Sequence, residues 1–139
     1  MMEFFVPGIP APGGSKTSYG RGRIVDSCKR NKPWRAMVAL AAMRAGCKPM
    51  DGPLTLSVTF WMPRPKGHYR KNGEVKPNAP AYPIVAPDTT KLLRSTEDAL
   101  KGIAWHDDAQ VAYQVGSKMY ADREGIPGAH IKIGPMEDE

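Results

Sequence analysis

Cysteine is scarce. Only Cys28 and Cys47 occur, and neither lies in a CxxC pattern. Two thiols cannot build a disulfide framework, so a reduced, intracellular protein is expected. His68 has no second Cys or His at ligand spacing, which argues against zinc there. No apolar run is long enough to cross a bilayer. The opening MMEFFVPGIPAPGG has no basic n-region, and its short apolar run is broken by prolines, so a signal peptide is not expected. Internal repeats are also lacking, as is any sign of a second domain.

What is present suits one domain over residues 1–139 with a core of its own. The net charge is +6 and the pI about 9.4, compatible with a polyanionic partner without proving one. Residues 2–6 read as a strand. Residues 33–45 read as a helix with Pro33 near its start and Gly46 past its end. Its expected core face holds Trp34, Met37, Val38, Ala41, Met43 and Ala45, with Arg35 and Arg44 outward. The clearest strand is 54–62, where Leu54, Leu56, Val58, Phe60 and Met62 alternate with Thr55, Ser57, Thr59 and Trp61. Burial beneath a helix is the plain expectation for Trp61, and base stacking the bolder one. A second helix spans 89–101, with Leu92, Leu93, Thr96, Ala99 and Leu100 on one side, followed by Ile103. Later strands are expected at 111–120 and 129–133, joined through the turn residues Asp122, Arg123 and Glu124. The fold class is therefore α/β of the α+β kind, a small mixed sheet with two main helices packed on it.

Two segments are basic and poor in regular-structure signals. Residues 15–24 carry Lys16, Arg21 and Arg23. Residues 63–87 hold six prolines together with Arg64, Lys66, Arg70, Lys71 and Lys76, interleaved with His68 and Tyr69. We expect a flexible basic loop around 63–86 that contacts DNA through phosphates and stacked bases. Ordinary surface loops have a similar composition. The tail 136–139 is acidic and expected to fray.

Against this basic background the placement of acids carries information. Asp88 precedes the second helix, where a carboxylate either caps the first turn or holds an ion. Asp107 and Asp108 are adjacent between that helix and the next strand. Hard cations such as Mg²⁺ prefer carboxylate oxygens and assist attack on phosphorus. Lys91, Arg94 and Asp98 share a polar helix face. Arg94 and Asp98 form either an i, i+4 ion pair or, in the bolder reading, Lys91 or Arg94 reaches a scissile phosphate.

The run APDTTKLLRSTEDALKGIAWHDDAQVAY, residues 86–113, resembles the signature of the RusA-type endodeoxyribonucleases, Holliday-junction resolvases of phages and prophages. Pro87–Asp88, Asp98–Leu100 and Trp105–Val111 carry the likeness. It implies a RusA-like fold and a homodimer that resolves four-way or other branched DNA by paired phosphodiester hydrolysis with Mg²⁺ or Mn²⁺. The setting would be the cytoplasm of a bacterium or phage-infected host, with roles in DNA recombination or repair. Residue by residue, Asp88 and Asp108 match the catalytic, metal-binding aspartates, with Asp107 as a third ligand. Arg94 stands where the family has a lysine; it keeps the charge but cannot donate a proton at neutral pH. Lys91 joins it as a candidate phosphate contact. Thr90 departs from the pattern, for a second aspartate is expected there, and Asp107 or Glu97 would have to compensate. The alternative is a catalytically weak or inactive junction-binding protein of the same fold. A third possibility is an interaction protein whose acids merely cap and turn.

Overall fold

The computed structural model describes residues 1–13, 16–19, 23–26, 29–122 and 125–137, with backbone alone for 16–19 and 23–26. Arg21, Cys28, Arg123 and Glu124 therefore lie outside the described residues, as do the side chains of Lys16 and Arg23 and the last two residues of the acidic tail. The chain order is β1 (Met2–Pro7), β2 (Lys16–Tyr19), β3 (Arg23–Asp26), α1 (Asn31–Arg44), β4 (Leu54–Pro63), α2 (Thr89–Leu100), β5 (Val111–Ala121) and β6 (Gly128–Pro135).

Four strands form one mixed sheet in the order β1-β6-β4-β5; β2 and β3 make a separate antiparallel hairpin. β6 lies antiparallel to both β1 and β4, whereas β4 and β5 are parallel. Period-two alternation in β4 explains the core. Leu54, Leu56, Val58 and Phe60 are buried, while Thr55, Ser57, Thr59 and Trp61 are half-buried on the opposite face. Ile131 and Ile133 of β6 and Val6 of β1 join the buried set. Burying each such side chain stabilises the fold by about 1.5–3 kcal/mol before chain entropy is counted. The architecture is the expected α+β arrangement.

Both helices cover that buried face and touch each other. The Trp34 indole Nε1 donates to Thr96 Oγ1 at 3.3 Å, joining α1 to α2 inside the core. α1 begins two residues before Pro33, because Asn31 is buried and its Nδ2 donates to Pro12 O at 2.7 Å. Two expectations fail here. Met43 is 57% exposed, and the buried line runs Asn31, Trp34, Val38 and Ala42. At 100° per residue Met43 is rotated more than a third of a turn off the centre of that line. Trp61 is not beneath a helix; it lies on the open sheet face beside Phe5 and Ile126.

Residues 64–88 run from β4 toward α2 without long regular structure, as their prolines dictate. A 3₁₀ turn at Lys66–His68 and a bridge between Tyr69 and Val75 shape their first part. Tyr120 of β5 anchors them: the Arg64 guanidinium carbon sits 4.3 Å from its ring centroid, and the His68 ring meets it edge-on at 5.5 Å. Among the described residues, no helix is long and apolar enough to cross a membrane.

Candidate functional site

β5 is one of the two edge strands of the main sheet, and its helix-facing side differs from that of β4. Register aligns Gln114, Gly116, Lys118 and Tyr120 with Leu56, Val58, Phe60 and Met62. Polar groups thus replace the core where α2 crosses. Gly116 allows the crossing: a Cβ there would lie 2.7 Å from Leu93 Cδ1 and 3.0 Å from Thr89 Cγ2. Farther along α2, Glu97 Oε1 accepts a hydrogen bond from Gln114 Nε2.

The turn between α2 and β5 fixes the adjacent acids differently. Trp105 is fully buried, and its Nε1 donates to Asp108 Oδ1 at 2.8 Å. Asp107 Oδ1 accepts from the Ala109 amide at 2.9 Å and caps the 3₁₀ turn Asp108–Gln110. Gln110 locks the same turn, its Oε1 accepting from the amides of His106 and Asp107 while its Nε2 donates to the carbonyls of Met50 and Gly52. Asp108 is therefore oriented by an indole, and Asp107 spends one oxygen on the backbone.

Asp88 occupies the N-cap position of α2, yet its side chain makes no capping hydrogen bond and remains exposed. The ordinary role for an aspartate here is unused. Glu97 lies nine residues farther along α2, about 13 Å of helix rise away. Burial pushes the Glu97 carboxyl up to about 7, aided by the negative charges of Asp108 and then Asp98 and opposed by Arg94. Arg94 and Asp98 form no ion pair with each other among the described residues; both act on Glu97 instead. Thr90, Lys91 and Arg94 are exposed along α2.

Among the described residues, no group of three His, Cys, Asp or Glu side chains is gathered as a ready ion cage. Asp88, Asp107 and Asp108 thus do not form a trio, and Glu97 supplies the carboxylate electrostatically coupled to Asp108. Sequence alone gave Glu97 only a compensating role. The signals that could have raised it were Gly116, which marks where α2 touches β5, and Gln114 two residues before it. The donors are hard oxygens, which suits Mg²⁺ or Mn²⁺, and burial first, then the negative charges of Asp108 and Asp98, make Glu97 a weaker acid than usual.

Of the basic candidates, Arg64 is committed to the fold: besides Tyr120, its Nη1 donates to Pro80 O at 2.8 Å and meets His68 Nδ1 at 3.3 Å. Lys66, Arg70, Lys71 and Lys76 are exposed on the same loop.

The sequence is 27% identical over 130 residues to a Bacillus subtilis (strain 168) protein described as uncharacterized protein YqaN, covering 90% of this chain and 92% of that one. The family described as Endodeoxyribonuclease RusA matches residues 7–134, which takes in both helices and three of the four strands of the main sheet, with β1 matched only at Pro7. The chain belongs to the RusA family of endodeoxyribonucleases, the Holliday-junction resolvases.

Proposed function

We propose that this chain is a metal-dependent endodeoxyribonuclease that resolves four-way or otherwise branched DNA by paired hydrolysis, acting as a homodimer in the cytoplasm. The observation that carries the proposal is the coupled pair Asp108 and Glu97, the first oriented by buried Trp105 and the second by Gln114. A divalent cation held there would activate water and stabilise charge on the phosphate. Asp108 and Glu97 would be its near ligands. Asp88 and Asp107 are the further carboxylates assigned by resemblance. Arg94 stabilises negative charge at the phosphate without transferring a proton, and Lys91 holds the strand near Asp88. Lys16, Arg21, Arg23, Lys66, Arg70, Lys71 and Lys76 hold the DNA arms, with Arg64 serving chiefly to fix its loop. A second copy supplies the second cut. On the open sheet face, Tyr113 and Val115 of the edge strand β5 are 55% and 42% exposed and offer an apolar edge for it.

The test is a labelled four-way junction incubated with Mg²⁺ or Mn²⁺ and with wild type, Asp88→Asn, Asp108→Asn or Glu97→Gln. Metal-dependent cleavage by wild type, reduced about 10²–10³-fold in Asp108→Asn, supports the enzyme. A second reading, junction binding without cleavage, is favoured by Thr90 and by the lack of a ready carboxylate trio among the described residues. Binding with no cleavage in either metal would select it. The absence of salt-sensitive DNA binding would remove both readings.

A further inference from the structure

A cavity of about 500 Å³ opens beside Asp88, at the end of α2 away from Glu97. Its walls are mostly carbon: Pro10 and Ala11 on one side, Met62 and Tyr120 at the sheet end, and Pro83 and Val85 on the loop leading to α2. Arg30, Lys91 and Lys118 line it together with Asp88. Apolar walls with a few charged groups at one edge are the usual form of a site for a flat organic ring carrying an ionic group.

The walls are held in place by bonds to three elements. Ser95 Oγ on α2 donates to Ala11 O at 2.5 Å, and the Gly13 amide donates to Lys91 O at 2.8 Å. From α1, Asn31 Nδ2 donates to Pro12 O at 2.7 Å. Lys118 Nζ of β5 donates to the carbonyls of Val85 and Pro87, each at 2.9 Å. At the mouth, Ile9 and Val85 remain 42% and 63% exposed. Neither Arg30 nor Lys91 forms an ion pair among the described residues. Apolar walls, with three cations against the single carboxylate of Asp88 in the lining, together match a nucleotide, with its base inside and its phosphate at the rim.

We propose that this cavity receives an unstacked nucleobase of the DNA strand whose phosphate lies at Arg30 and Lys91, and that it selects branched DNA over continuous duplex. The inference rests on the nuclease reading above. A base inside a duplex must give up pairing and stacking to enter, whereas one flanking a strand crossing has less to give up. The cavity therefore rewards branch points. Proline, methionine and aliphatic walls contact a base by its face, so the site tolerates any base.

The experiment uses the full chain and four-way junctions carrying 2-aminopurine at each nucleotide flanking the crossing, with a linear duplex as control. Binding of wild type should raise 2-aminopurine emission several-fold at one flanking position and leave the duplex signal flat. Ile9→Phe and Val85→Phe, which narrow the mouth at exposed positions, should abolish the rise. Each should also lower the preference for junction over duplex by about tenfold while melting like wild type. Removing the base at the reporting position should erase the difference between wild type and variants. If junctions are bound and cut while every flanking base remains stacked, the inference fails and the nuclease reading stands. An undiminished emission rise in both folded variants also overturns it. If no junction is bound, both fail together.

Discussion

The two ends of α2 are chemical opposites. At its start Asp88 stands among Arg30, Lys91 and Lys118 around an apolar cavity. Toward its end Glu97 is half-buried beside the negative charges of Asp108 and Asp98, opposed by Arg94; burial first and those charges second push its carboxyl up to about 7. One helix thus offers cations and an apolar recess at one end, and under-compensated oxygens at the other. DNA and a divalent cation make opposite demands, and about three turns of helix are enough to separate the places that meet them.

The largest expected effect tests the acidic end. Trp105→Phe removes the indole donor but keeps a ring in the core, so Asp108 loses its fixed orientation. Titration of cleavage with Mn²⁺ should show a need for about 10–100-fold more metal. An unchanged requirement would mean that Asp108 is not a ligand. Gly116→Val tests whether the two ends share one rigid helix. The added carbons meet Leu93 and Thr89, and denaturant unfolding should show a loss of about 1–3 kcal/mol.

A smaller effect is expected with pH. The Glu97 carboxyl is raised from its ordinary 4.5 to about 7, so its contribution to stability is complete below about 4.5 and lost as pH rises through about 7. Metal-free protein should therefore melt lower at pH 8 than at pH 5.5 by more than Glu97→Gln does. Added Mg²⁺ should narrow that gap for wild type alone. Identical pH profiles for the two proteins would dissolve the contrast between the ends of the helix. The smallest effect concerns the loop. Lys71→Ala should weaken duplex binding only slightly and reduce the slope of log affinity against log salt by about 0.9.

Sequence patterning revealed much of this arrangement because it acts locally. Alternation marks β4, and the apolar stripe of Leu92, Leu93, Thr96 and Leu100 marks α2. Partners distant in sequence were harder to foresee. Ser95 is buried although polar, because its hydroxyl donates to Ala11 O as well as Leu92 O. Trp61 shows the same limit: alternation tells which residues share a face, and packing decides which face the helices cover. Asp107 and Asp108 look equivalent as neighbours, yet one caps a turn and the other meets an indole. Glu97 gained its place only when Gly116 set the approach of α2 to β5.

The parallel pairing of β4 with β5 has a consequence for how the molecule forms. Their register cannot close until residues 64–110 have folded back, and pairing of β6 with β4 and with β1 needs still longer closures, over residues 64–127 and 8–127. Long-range closure costs chain entropy before contacts repay it, so such pairings come late in folding. The cavity, Asp88, Glu97 and Asp108 all depend on that closure. Every pairing in the main sheet is long-range, so substitutions that slow closure should delay the sheet and the competent site together. Recovery of tryptophan emission and of sheet signal during refolding should then coincide.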